Sequence, residues 1–164
     1  RQSEVEFIMK LFISVGTTNF DSLLRKLDSD DYQAALSPII SEILLQPGTG
    51  LRQFQRLRIP LRIVTTDYFE RLDECDVVLC HCGAGTVLDA ISKKKGIVAV
   101  VNHYLKDNHQ TELFDAMISD RMCLGFRNIE EMKPDILKDL LLRAQKQPFK
   151  PVTKKVNLFN LFME

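Results

Sequence analysis

The chain has 164 residues, long enough to bury one proper core and short for two ordinary domains. Its 22 basic residues balance 22 acidic ones, and with 45% apolar and 27% charged residues it suggests neither disorder nor bulk attraction to nucleic acid. No apolar run approaches the roughly 20 residues of a membrane span, the N-terminus lacks the pattern of a secretory leader, and the four cysteines show no disulfide-scaffold spacing, so a soluble cytosolic protein is expected.

Residues 1–8 have little character and read as an N-terminal extension or an expression remnant. A first strand at 11–15 runs into the turn Gly16-Thr17-Thr18-Asn19, and Phe20, Leu23, Leu24 and Leu27 then mark a helix. Residues 28–31 read as an acidic linker and 32–40 as a helix interrupted at Pro38. A second strand at 43–46 is closed by Pro47-Gly48-Thr49-Gly50. A third strand at 61–65, a short helix at 68–72 and a fourth strand at 77–80 follow.

The stretch 75–91, CDVVLCHCGAGTVLDAI, changes character twice. Val77 to Cys80 is branched and uninterrupted, as in a strand covered on both faces, and Val87, Leu88 and Ile91 recur at helical spacing, so a helix is expected from near Thr86. Beyond it lie a fifth strand at 97–101, a polar loop at 102–110 and a helix with Leu113, Phe114, Met117 and Ile118. A sixth strand at 122–126 precedes a helix from Pro134 with Ile136, Leu137, Leu140, Leu141 and Ala144 on one side. Pro148 and Pro151 then break the chain. Strands alternating with helices imply an α/β fold: a doubly wound, mostly parallel six-stranded Rossmann-like sheet over residues 9–147.

In the common strand order 3-2-1-4-5-6 the crevice lies between strands one and four. Three small, polar loops would meet there: 16–19, 81–86 and 102–110. Gly83 and Gly85 allow close backbone approach, Gly85 by contact with phosphate or by a positive φ, and a helix N-terminus favours an anion, so phosphate is the natural ligand. Asp89 is either an acceptor for ribose or sugar hydroxyls or a solvated helix residue. Asn108, His109 and Gln110 open the next helix and present side-chain donors, although Asn108 equally serves as a cap. His81 is a possible base but more simply a loop anchor with a positioning role. There is no GxxxxGK[ST], and the first strand lacks GxGxxG, which counts against a P-loop and a standard NAD site. No metal is expected: neighbouring residues of Cys80-His81-Cys82 point to opposite faces, and no second ligand pair has suitable spacing. Lys93-Lys94-Lys95 reads as a solvated helix end.

FISVGTTNFDSLL, HCGAGTVLDAI and DNHQTEL together resemble the catalytic subunit family of the two-chain UDP-N-acetylglucosamine transferases of dolichol-linked oligosaccharide synthesis, from about Met9 to the C-terminus. That family is similar to the C-terminal, nucleotide-sugar-binding half of GT-B glycosyltransferases. The resemblance implies inverting transfer of N-acetylglucosamine from UDP-N-acetylglucosamine to dolichol diphosphate N-acetylglucosamine, with no cofactor. By motif, Gly16, Thr17 and Thr18 would line the donor cleft and Gly83, Ala84, Gly85 and Thr86 would hold the diphosphate. Asp89 would stand near the ribose, where the family often has Glu. Asn108, His109 and Gln110 would face the sugar or phosphates. Residues 47–60 depart from the family pattern. No general base is evident, and the resemblance supplies a membrane-anchored partner that recruits the chain to the cytosolic face of the endoplasmic reticulum. Other readings are a non-catalytic nucleotide-sugar-binding or scaffold module, and a GT-B half acting on another lipid acceptor.

Residues 148–164 read as a C-terminal docking helix, because Val152, Val156, Phe159 and Phe162 recur at helical spacing beyond the proline-broken linker. It would dock the membrane subunit or fold back onto the domain's own sheet.

Overall fold

The computed structural model describes residues 8–16, 19–50, 53–103 and 109–146. Thr17, Thr18 and Asn108 lie outside the described residues, as does the expected docking helix at 148–164. Apolar strands and amphipathic helices alternate: β1 (Met9–Ser14), α1 (Asp21–Leu27), α2 (Asp30–Leu36), β2 (Ile40–Gln46), β3 (Leu61–Ile63), α3 (Tyr68–Glu74), β4 (Val77–His81), α4 (Ala84–Ser92), β5 (Gly96–Val100), α5 (His109–Ser119), β6 (Leu124–Phe126) and α6 (Pro134–Lys146). All five strand pairs are parallel and the order is β3-β2-β1-β4-β5-β6, the doubly wound arrangement.

Alternation along each strand divides the buried side chains between two faces. Leu11 and Ile13, Ile43 and Leu45, Val77 and Leu79, and Val98 and Val100 pack on one side with α1, α2 and α6. Phe12, Leu44, Val78 and Cys80, and Ile97 and Ala99 face the other, under α3, α4 and α5. The middle of each central strand, Leu11 to Ile13, Val77 to Cys80 and Ile97 to Val100, is therefore apolar without a break, because neither face meets water.

Several boundaries differ from the expectations. Residues 28–31 are not a linker: Ser29 caps α2 by accepting from Tyr32 N, and Asp30 and Asp31 sit in its first turn, where the helix dipole favours acid. Pro38 lies beyond that helix, and β2 begins three residues earlier than expected, with Ile40 paired to Met9. β3 ends at Ile63, and Met122 and Cys123 are buried ahead of a β6 that starts only at Leu124. The helix after the glycines starts at Ala84.

Residues 53–60 have no regular structure but are held firmly. Asp28 accepts from the backbone N–H groups of Gln55, Arg56 and Leu57 at 3.0, 2.7 and 2.9 Å, and Gln33 Oε1 accepts from Arg58 N at 2.7 Å. Phe54 and Leu57 pack on the core, and Ile59 is buried. Burial alone would raise the Asp28 pKa, but these three N–H groups and the Arg56 charge hold it below the usual carboxylate range. Among the described residues no helix is long and apolar enough to cross a membrane.

Candidate functional site

The strand order places the ends of β1 and β4 side by side, with Ser14 paired to Cys80. Beyond that pair the chain leaves β1 toward α1 on one face of the sheet and β4 toward α4 on the other, which opens a crevice of about 450 Å³ at the C-terminal edge of the sheet.

Its floor is the start of α4. Gly83 is the N-cap in an extended conformation and supplies no side-chain cap, while Val87 N closes the first helical bond on Gly83 O at 3.1 Å. The N–H groups of Ala84, Gly85 and Thr86 therefore have no intrahelical acceptor, and they carry the positive end of the helix dipole into the crevice.

His81, the last residue of β4, stands beside this floor and is 7% exposed. Its Nδ1 lies 3.3 Å from Ser14 O. A carbonyl can only accept, so Nδ1 carries the proton and the neutral ring's Nε2 is left as the acceptor. Burial lowers the His81 pKa, and the bond to Ser14 only partly opposes this. The ring sits between two glycines: a Cβ on Gly16 (φ +68°) would stand 2.8 Å from Cε1, and one on Gly83 would come closer still to Nε2. A side chain at either position would displace the imidazole, and at Gly16 the positive φ favours glycine as well. Gly85 is different. It is helical without a positive φ, and a Cβ there would meet nothing within 4 Å. The expected positive φ is absent, and open crevice faces this residue.

The walls are tied together by polar side chains. Ser14 Oγ donates to Gln46 Oε1 at 2.5 Å, accepts from Gly16 N at 3.2 Å and lies 3.3 Å from Thr86 Oγ1. Tyr68 Oη donates to Asp89 Oδ2 at 3.0 Å. Phe69, 55% exposed, completes the rim beside Tyr68.

Of the residues expected from sequence, Gly16, His81, Gly83, Ala84, Gly85, Thr86 and Asp89 line this crevice together. His109 and Gln110 do not. His109 is exposed, 4.0 Å from the Glu112 carboxylate, and Gln110 is buried with its Oε1 accepting Asn102 N at 3.0 Å. Gln110 therefore fastens the end of β5 to α5. Gln46, Tyr68 and Phe69 line the crevice but were not among the expected residues. The available signal was topological: the chain leaving β3 must also arrive at this edge.

Among the described residues no group of three or more His, Cys, Asp and Glu side chains is placed to hold a metal. The thiols flanking His81 belong to the core, where burial raises the pKa of Cys80 and pushes Cys82 up to about 12.

Residues 10–161 match the glycosyltransferase family 28 C-terminal domain. The chain is 34% identical over 110 residues to the ALG13 subunit of UDP-N-acetylglucosamine transferase from Mus musculus, covering 63% of this chain and 9% of that protein. It is 30% identical over 125 residues to the Yarrowia lipolytica ALG13 subunit, covering 71% of this chain and 64% of the relative. The match thus spans about a tenth of the mouse protein and under two thirds of the yeast one. In fold the chain is similar to the solution NMR structure of ALG13 (TM-score 0.56, 20% identity, 98% of this chain and 97% of that one). It also resembles MurG of Acinetobacter baumannii (TM-score 0.60, 15% identity, 99% of this chain and 51% of that one), so it has the architecture of about half of that glycosyltransferase. The doubly wound sheet, the crevice at its switch point and this family match agree: the chain belongs to the glycosyltransferase family 28 C-terminal domain family.

Proposed function

We propose that the crevice binds UDP-N-acetylglucosamine and that the chain, with a membrane-anchored partner, transfers the sugar with inversion to dolichol diphosphate N-acetylglucosamine. The observation that carries this reading is the start of α4, where three N–H groups without intrahelical acceptors open into the crevice between His81 and Asp89. Such donors suit a diphosphate, and they act most strongly on the charge that develops as UDP leaves. His81 would position the diphosphate indirectly: Nδ1 is tied to Ser14, and the ring fills the space between Gly16 and Gly83 and so holds the turn that carries the N–H donors. Asp89 would accept from the ribose. The acceptor hydroxyl would lose its proton to a group on the other half of the cleft, because burial of the His81 ring disfavours the imidazolium that a base must become. The relatives' designation as transferase subunits supports a second chain. We place its docking on Val152, Val156, Phe159 and Phe162 and the complex at the cytosolic face of the endoplasmic reticulum.

A transfer assay with radiolabelled UDP-N-acetylglucosamine and the lipid-linked acceptor tests this reading. Product is expected with the membrane subunit present and none with either chain alone. UDP binding without transfer in the complex would leave a nucleotide-sugar-binding module, and product from a different lipid acceptor would replace the acceptor.

A further inference from the structure

Asp89 is a short carboxylate on the exposed side of α4, and nothing in the helix itself fixes where it points. Its natural i,i+4 partner, Lys93, lies 2.8 Å from Asp73 instead. What reaches Asp89 is the Tyr68 hydroxyl, 3.0 Å from Oδ2, arriving from α3 across the crevice wall. The Tyr68 ring is itself held. Phe12, fully buried in β1, meets it edge-on with ring centroids 5.6 Å apart, and Phe69 does so at 5.0 Å. Burial first and the Asp89 bond second raise the Tyr68 pKa, so the phenol stays protonated and remains a donor. Asp89 Oδ1 accepts no hydrogen bond from the described residues, and Asp89 lines the crevice.

We propose that Tyr68 is a positioning and specificity-determining residue: it holds one oxygen of Asp89 so that the other is presented to a ribose hydroxyl of a nucleoside diphosphate. The inference rests on the donor-site reading above. An aspartate reaches one methylene less far than a glutamate. A tether that removes its rotational freedom compensates for lost reach by preorganisation, since a side chain locked by a neighbour loses less entropy on binding. Tyr68 would therefore act through Asp89 on ribose recognition and leave diphosphate binding alone.

The test is calorimetric titration of the chain with UDP and with 2′,3′-dideoxy-UDP. The wild type is expected to prefer UDP by roughly tenfold or more, the range of one charge-assisted hydrogen bond. Asp89→Ala should abolish that preference. Tyr68→Phe should cut it to about threefold or less while affinity for the dideoxy ligand stays within about twofold of wild type. Tyr68→Phe combined with Asp89→Glu should restore the preference, because the longer side chain needs no tether. A Tyr68→Phe variant with the wild-type preference, or one that weakens both ligands equally, overturns the positioning role and leaves the donor site standing. A wild-type chain that fails to bind UDP at millimolar concentration removes the donor site, and this inference with it.

Discussion

The segment at 53–60 and the turn at 82–83 are both irregular chain next to a strand, yet they dispose of their backbone donors in opposite ways. In the first, four consecutive N–H groups from Gln55 to Arg58 are taken up by Asp28 and Gln33. In the second, the donors that follow Gly83 are left to the crevice. Backbone polar groups are obligatory hydrogen-bonding groups, so a loop that satisfies its own contributes stability and a loop that does not is ready for a ligand. Asp28 and Asp89 express the same contrast: three backbone bonds fill one carboxylate, and one phenol bond leaves the other half open.

Substitutions can break this contrast on two separate scales, thermal stability and UDP affinity. The largest expected effect is that of Gly83→Val, which places carbon inside the His81 ring's slot and should fail on both. Overpacking of this kind costs about 1 to 3 kcal/mol, a fall in Tm of roughly 2 to 12 °C for a chain of this size, and the displaced imidazole should remove measurable UDP binding. Calorimetry and titration of the same sample read both.

Asp28→Ala comes next and should act on stability alone. Losing its charge-assisted bonds, partly screened by solvent, is expected to cost about 1 to 2 kcal/mol with UDP affinity unchanged. The pH dependence gives a sharper signature. The folded-state pKa of Asp28 is lowered, so its contribution is complete above the unfolded value of about 3.9 and is lost as pH falls through the folded value beneath it. Urea unfolding of wild type and Asp28→Asn should therefore converge on acidification below about pH 3.9. A difference that persists unchanged down the acid limb would remove the pinning role.

The smallest stability effect belongs to Gly85→Val. Its Cβ meets nothing, and valine suits a helix slightly better than glycine, so Tm should stay level or rise by the equivalent of a few tenths of a kcal/mol. UDP affinity should nevertheless collapse. Full affinity in this variant would show that the diphosphate does not lie against residue 85.

The same contrast explains what could be read from the chain alone. Val77 to Cys80 and Ile97 to Val100 announce themselves because strands covered on both faces are apolar without interruption. The residues of the glycine turn were legible for the same reason, since small residues between a strand and a helix leave few alternatives. The start of Ile40–Gln46 is not legible because Ser41 and Glu42 break the apolar run, although parallel pairing needs no particular side chain there. The 53–60 segment was opaque: its order depends on Asp28, which is 29 residues from Leu57 and carries no local signal. Aromatics at a helix start, such as Tyr68 and Phe69, have the pattern of core residues, and only the fold places them at the rim. Gln110 looked like a ligand donor by position, while the atom that matters accepts from Asn102 N.

The pairing of β1 with β4 has a consequence for how the binding site comes into being. Ser14 and Thr86, on the two sides of the crevice, are separated by 72 residues in the chain. No local fragment contains both, and closing so long a loop is a slow, entropically opposed event in which nonlocal strand pairing must wait for the rest of the sheet. The crevice beside the helix at 84–92 is therefore incomplete until the first strand has found the fourth. On the donor-site proposal, nucleotide affinity would appear only once β1 has paired with β4, and stopped-flow UDP binding should follow that phase of refolding and none of the earlier ones.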